Sequence, residues 1–447
     1  MQRYTRPMST SQESRERVPA GLPEELFQEA VALLVRLTAA SSPSDDPPAL
    51  HRMAAILAVE LRVRGLEVTI RLEPDEQGRP LPVVDAFRPA TAPVRPPRSS
   101  TTAASELLPI LLIGHFDTVL PASTPRLEGG RLVATGAIDM KGGIVAFLGA
   151  LDLVARRGGG LPALHLVLVP DEEVGGAISR RAVATAGATA RALWVLEPGE
   201  LTAAGETLVT GRRGMFHWQL GAQGRTAHSG LAYWQGRSAV VAAAEWIQLA
   251  TALSRPNGGP TVNVARFVGG ESGFVEALRN SVPPEAGGGS GGSALLGTAH
   301  QLNVVPDRAL VEGEARFLRS AEEALLARDL AALAGTVAAR HQVELVFTRD
   351  AAIAPVDSAG LPRAQADLAV RLAAEAGWEL LREEDRGGIS FPNFLEQPGR
   401  IPVLDGLGPA GGGMHTREEH VELASLSRRI RLLADLLQTE GELTAAG

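Results

Sequence analysis

Leu111-Leu112-Ile113-Gly114-His115-Phe116-Asp117-Thr118 is the stretch on which the fold of this chain turns. The apolar run from Leu107 to Ile113 reads as a strand buried on both faces. It ends abruptly in Gly, His and Asp. Two residues apart at a strand end, His115 and Asp117 project to the same side. An imidazole and a carboxylate therefore meet at the carboxyl edge of a sheet, where open α/β sheets bind ligands. A carboxylate beside a His commonly orients it as a metal ligand. A lone His in such a place is also a common structural residue, so the weight falls on what recurs along the chain.

Working outward, the pattern repeats. Leu164 to Val169 is a second apolar run, ending in Pro170-Asp171-Glu172-Glu173, and Ala192 to Leu196 is a third, ending in Glu197-Pro198. Between the first two lies Ala137-Ile138-Asp139-Met140-Lys141-Gly142-Gly143, ahead of a helix to about Arg157. Near the C-terminus, Gly411-Gly412-Gly413-Met414-His415-Thr416 places a His in a loop whose glycines allow sharp turning and close approach to a ligand. Strands alternating with helices predict a mixed, mostly parallel sheet sandwiched by helices. The collected residues are His115, Asp139, Glu173, Glu197 and His415. Two imidazoles and three carboxylates are too many acids for one tetrahedral zinc, but they suit two metals sharing a bridging carboxylate. Glu172 is left over, as a general base for activating water requires. Plainer readings exist for single residues: Glu172 and Glu173 as a solvated pair at a helix start, Asp139 as an N-cap.

Composition narrows the class. The 447 residues suggest two or three domains. There is no cysteine, which removes disulfides and a thiol nucleophile and leaves any transition metal to His, Asp and Glu. A net charge of −8 argues against a nucleic-acid partner. Met1 to Val18 is polar, without the apolar core of a signal peptide, and no uncharged run is long enough to span a bilayer. The expectation is a cytoplasmic protein with no membrane contact.

Residues 1–20 read as a disordered arm, 21–211 as the first part of a catalytic domain and 351–447 as its second part. Arg88 to Ala104, rich in Pro, Ser and Thr, reads as a long surface loop. Residues 212–350 carry a β-α-β-β-α-β pattern that predicts an inserted ferredoxin-like α+β domain. Within it, about 270–299 reads as a flexible insertion containing Gly-Gly-Gly-Ser-Gly-Gly.

The ordered series His115-Phe-Asp117, Gly136-Ala-Ile-Asp139-Met-Lys-Gly-Gly, Asp171-Glu172-Glu173-Val-Gly, Glu197-Pro and Met414-His415-Thr-Arg-Glu-Glu-His-Val resembles the dinuclear zinc peptidase and amidohydrolase family. That family includes glutamate carboxypeptidase, acetylornithine deacetylase and succinyl-diaminopimelate desuccinylase. The resemblance implies two Zn2+ per chain, with Co2+ or Mn2+ as alternatives. It implies that His115, Asp139 and Glu197 hold one ion and Asp139, Glu173 and His415 the other. Asp139 then bridges, Asp117 orients His115, and Glu172 is the base.

Further motifs extend the resemblance. Gly224-Arg-Thr-Ala-His228-Ser-Gly resembles the family's lid motif, which implies a homodimer whose lid His228 reaches the partner's active site. Asn303-Val-Val-Pro306 followed by Arg316 resembles the segment holding a substrate carboxylate, a task suited to an Arg fork. Gly387-Gly388-Ile389-Ser390-Phe391-Pro392-Asn393 matches the substrate loop at its glycines, including Gly388, and at Ser390 and Asn393. It departs at Phe391-Pro392, where relatives carry an Asp and a small residue. Asp405 to His415 is closest to the glutamate carboxypeptidase branch. Together these features imply a hydrolase of an amide bond next to a free carboxylate, in a small peptide or an N-acyl amino acid. The alternatives are an N-acyl amino-acid deacylase and a catalytically silent metal- or peptide-binding relative.

Overall fold

Ile110–His115 forms a strand buried along its whole length, as an unbroken apolar run requires. The computed structural model describes residues 22–91, 108–273, 275, 302–356 and 361–446. The expected N-terminal arm, most of the Pro-rich loop and most of the Gly-rich insertion lie outside the described residues.

The chain begins with α1 (Glu24–Ala39) and α2 (Pro47–Val63). α1 buries Leu26, Leu33, Leu34 and Leu37 along one face, the stripe its spacing dictates. The Asp46 carboxylate caps α2 by accepting the Ala49 N–H at 2.9 Å. A hairpin follows, β1 (Glu67–Pro74) and β2 (Pro80–Arg88), then β3 (Ile110–His115), α3 (Gly142–Arg156), β4 (Leu164–Val169), α4 (Ala177–Gly187) and β5 (Ala192–Val195). Next come β6 (Gly214–Gln223), α5 (Ala239–Thr251), β7 (Thr261–Gly270), β8 (Arg308–Phe317), α6 (Ser320–His341) and β9 (Glu344–Arg349). The chain closes with α7 (Leu361–Glu375), β10 (Val403–Leu404) and α8 (Leu423–Ala446).

Two compact units result, one from residues up to Leu208 with Ala364–Arg382 and Ile401–Gly447, the other from Val209–Arg363 with Glu383–Arg400. The first holds a six-stranded sheet in the order β1-β2-β4-β3-β5-β10. β3, β4, β5 and β10 run parallel, and the β1–β2 hairpin joins antiparallel through β2. Connections through helices force the parallel strands to present their carboxyl ends on one edge. The second unit is a four-stranded antiparallel sheet in the order β7-β8-β6-β9, the ferredoxin-like arrangement. Its core is built on Trp218 and Trp246, edge to face at 5.1 Å, with the Trp246 indole N–H donating to the Leu330 carbonyl.

Glu383–Arg400, expected with the closing segment, packs with the second unit. Asp385 pairs with Arg213, the Gly387 and Gly388 carbonyls accept from Arg316 and Arg212, and the Asn393 amide donates to the Arg213 and Ala354 carbonyls. These partners are polar and distant in sequence, so no local periodicity announces them.

Candidate metal centre

The register of the parallel strands builds this site within the first unit. His115, the last residue of β3, lies opposite Val169 of β4, and Ile113 lies opposite Val195 of β5. The turns that leave β4 and β5 therefore deliver Glu172, Glu173 and Glu197 beside His115. At Gly143 the first turn of α3 touches the end of β5: a Cβ there would lie 1.9 Å from the Leu196 carbonyl oxygen. A side chain at that position would push α3 off the strand that carries Glu197. His415 arrives differently. Gly411–Gly412 pairs with His420–Glu422, which pairs with Arg131–Val133, and this ribbon returns the His415 loop to the Asp139 loop. Gly413 has φ +71° and His415 itself has φ +62°. A non-glycine residue held in the left-handed region is costly and concentrates at functional sites.

The five residues converge. The two oxygens of Asp139 face different imidazoles: Oδ1 is 3.0 Å from His115 Nε2 and Oδ2 is 3.3 Å from His415 Nε2. His115 Nε2 lies 3.7 Å from Glu197 Oε1, and His415 Nε2 lies 3.2 Å from Glu173 Oε2. A tetrahedral ion with bonds of ~2.0–2.2 Å separates its donors by roughly 3.3–3.6 Å. The observed spacings of 3.0 to 3.7 Å bracket that value on both sides of Asp139. The donor set thus fits two ions that share one carboxylate.

Asp117 organises the centre from behind and is fully buried. His115 Nδ1 lies 3.1 Å from its carbonyl and 3.2 Å from its Oδ1, both acceptors. A ring proton is therefore held on Nδ1, which leaves Nε2 as the atom that would meet a cation. The Glu172 and Glu173 N–H groups donate to the Asp117 carboxylate at 3.3 and 3.2 Å, and the Ser44 hydroxyl donates at 2.8 Å. One carboxylate thereby fixes a ligand ring and the backbone of both acids. Asp171 locks the same turn onto α4 by accepting the Ile178 and Ser179 N–H groups.

Glu419, inside a quoted motif but given no role from sequence, is buried and accepts three N–H groups of the Asp139 loop. These come from Gly136 at 2.8 Å and from Ile138 and Asp139 at 3.1 Å. Lys141 is buried as well and donates to the Ala40 carbonyl at 2.9 Å. Burial lowers its pKa to about 7 against the pull of Glu419 and Asp117. A helical pattern shows that such residues are internal, but not which backbone they hold.

Charge crowding defines the electrostatics. Burial opposes ionisation of Asp139, yet the two facing imidazoles hold its pKa well below the carboxylate range. Burial pushes Glu173 up to about 8, with the Asp139 charge adding to it, and pushes Glu197 well above its ordinary value. The Glu172 charge raises both. The hydrogen bond to Asp139 lifts His415 to about 9. Burial opposes the charged form of His115, but Asp117 and Asp139 raise it well above the usual imidazole value. A site with this many coupled acids holds protons where cations would bind, and cation uptake releases them.

The remaining expected site residues lie in the second unit. His228 Nδ1 accepts the Gly230 and Leu231 N–H groups at 3.1 and 3.2 Å, and its Nε2 lies 3.2 Å from the Asn303 side-chain amide nitrogen. Arg316 is bound along its fork by Glu314, at 2.8 and 3.1 Å, and donates to the Gly387 carbonyl next to Gly388. The Arg316 fork, expected to face a substrate carboxylate, is thus aligned by an internal one.

Residues 111–439 match the model of Peptidase family M20/M25/M40. Carboxypeptidase G2 of Pseudomonas sp. (strain RS-16) is 27% identical over 348 residues, 74% of each chain. Succinyl-diaminopimelate desuccinylase of Halorhodospira halophila is 26% identical over 341 residues, 73% of this chain and 82% of that protein. Among solved structures, aminopeptidase PepT of Bacillus cereus superposes with a TM-score of 0.71 at 20% identity, over 93% of this chain and 99% of its own. The Bacillus subtilis YXEP protein, described as a dinuclear metal-binding peptidase, gives 0.60 at 14% identity, over 94% and 99%. The fold and the centre define a metal-dependent hydrolase. The chain belongs to the M20/M25/M40 peptidase family.

Proposed function

We propose that this protein is a two-zinc hydrolase of an amide bond next to a free carboxylate, in a small peptide or an N-acyl amino acid. One observation carries the reading: the two oxygens of Asp139 are each turned to a different imidazole, 3.0 and 3.3 Å away. A carboxylate shared between two ions requires that arrangement. In the assignment we favour, His115, Asp139 and Glu197 hold one ion and Asp139, Glu173 and His415 the other. Zinc bound there would polarise the scissile carbonyl and lower the pKa of water.

The chain's own residues do the rest. Asp117 keeps the His115 ring in one tautomer. Glu172 takes the proton of the attacking water and passes it to the leaving amine. His228 donates to the developing oxyanion, supplied by a partner subunit of a homodimer. Asn303 and Arg316 hold the substrate carboxylate beside Gly388, with Glu314 aligning the guanidinium. The carboxypeptidase relative supports the peptide reading. The desuccinylase relative supports the second reading, an N-acyl amino-acid deacylase. A silent binder would have no use for Glu172 beside the ligands. Among the described residues no helix is long and apolar enough to cross a membrane.

Hydrolysis of dipeptides and N-acyl amino acids by zinc-loaded protein, with amide and ester controls lacking the carboxylate, tests the reading. Cleavage of carboxylate-bearing substrates alone is expected. Equal cleavage of the controls would remove the carboxylate from the assignment.

A further inference from the structure

Behind the loop that braces Glu197 lies a buried ion pair with no part in the mechanism above. Arg429, on α8, is fully buried. Its Nε donates to Glu206 Oε2 at 2.9 Å, its Nη2 to the Thr207 carbonyl at 2.8 Å and its Nη1 to the Gly406 carbonyl at 3.2 Å. Glu206 also accepts from Arg428 Nε at 2.7 Å and from the Ser425 hydroxyl at 2.8 Å. The Ser425 oxygen in turn accepts the Ala410 N–H at 2.8 Å. The pair therefore grips residues 406 to 410 at both ends.

That segment in turn grips Glu197. The Gly408 N–H donates to the Glu197 carbonyl at 2.8 Å, the Leu407 N–H to the Val195 carbonyl at 3.2 Å, and the Gly199 N–H to the Gly408 carbonyl at 3.2 Å. Five residues beyond Ala410 the same loop ends in His415. We propose that the Arg429–Glu206 pair is a positioning device for the metal centre, setting the backbone of Glu197 and the root of the His415 loop together. The inference rests on the metal-centre reading above.

Stability does not demand this pair. Two charges taken from water pay a desolvation cost that an apolar pair of similar volume avoids. Only a planar guanidinium reaches a carboxylate and two carbonyls on different segments at once, which a lysine ammonium cannot do in one geometry. Supports behind metal ligands typically change affinity by ~10–100-fold.

The test is zinc titration of the metal-stripped full-length protein by calorimetry, with visible absorption of the cobalt(II)-loaded protein and thermal unfolding of the stripped protein. Wild type should bind two ions. Arg429→Lys should weaken at least one binding step by ~10–100-fold and alter the cobalt spectrum. The double variant Glu206→Leu/Arg429→Met leaves no buried charge unpaired, since the partly exposed Arg428 can turn to water. It should unfold at or near the wild-type temperature yet show the same loss of affinity and the same spectral change. Should both Arg429 variants fail to fold, Ser425→Ala, which cuts the Ala410 anchor and one bond to Glu206 but leaves the Arg429–Glu206 pair, should still lower zinc affinity several-fold. Wild-type affinity and spectrum in the folded variants overturn the positioning role. Fewer than two ions in wild type overturn the metal-centre reading, and this inference with it.

Discussion

The imidazoles of the two units are built in opposite ways. In the first unit, His115 and His415 face carboxylates: Asp139 lies within 3.3 Å of both, with Glu173 3.2 Å from His415 and Glu197 3.7 Å from His115. In the second, His228 Nδ1 is saturated by two backbone N–H groups and Nε2 meets only a neutral amide. The first arrangement concentrates negative charge until cations are required. The second holds the ring through backbone N–H groups and a side-chain amide. The same side chain is thus set in an acidic cluster in one unit and against backbone N–H groups in the other.

If this contrast holds, the largest effect belongs to its centre. Asp139→Ala should reduce metal content from about two ions per chain to near zero and abolish turnover; elemental analysis of protein prepared without chelator decides it. A variant that keeps one ion would show that Asp139 is not the bridge.

Glu172→Gln keeps shape and ligands but removes the base. Turnover should fall by ~10²–10⁴-fold at unchanged metal content, and near-normal turnover would place the base elsewhere.

His228→Ala should lower kcat by ~10²–10³-fold, the scale of a lost oxyanion donor, again with both metals retained. Mixed dimers of His228→Ala and Glu172→Gln chains should recover activity through one competent site. Verified subunit exchange without recovery would return His228 to its own chain.

Glu314→Gln frees the Arg316 fork from its internal carboxylate and should change KM for acidic-ended substrates by roughly tenfold, the lower end of the ~1.5–3 kcal/mol of a charge-assisted hydrogen bond. An effect confined to kcat would assign Arg316 to something other than substrate binding.

The smallest effect concerns protons. His415 is lifted to about 9 and Glu173 to about 8, so between pH 6.5 and 8 these two groups hold protons in the folded, metal-free protein that the unfolded chain has lost, against the one proton that Lys141, lowered to about 7, gives up there. The stability of the metal-free protein should therefore fall as pH rises through that window. Zinc uptake should release protons there, visible as a buffer-dependent heat. A metal-free unfolding temperature that rises with pH would contradict the sign.

His115, Glu172, Glu173 and Glu197 stood out in the sequence because each ends or follows a buried strand whose pattern is local. Period and length mark a buried strand, and its last residue must lie at the sheet edge. The β-α-β-β-α-β order of the second unit was readable for the same reason. What Glu419 and Arg429 do was not readable, since their partners lie up to 283 and 223 residues away. The attachment of Glu383–Arg400 to the second unit escaped for the same cause. The Arg316 fork shows the limit from the other side. An Arg fork at the end of a strand looks available in sequence, and only the fold shows Glu314 lying along it. Which chemical groups this protein carries, and at which strand ends, is written in local periodicity. How each is aimed, which nitrogen of a ring is free and which carboxylate is shared follow from hydrogen bonds between segments that meet only when the chain is packed.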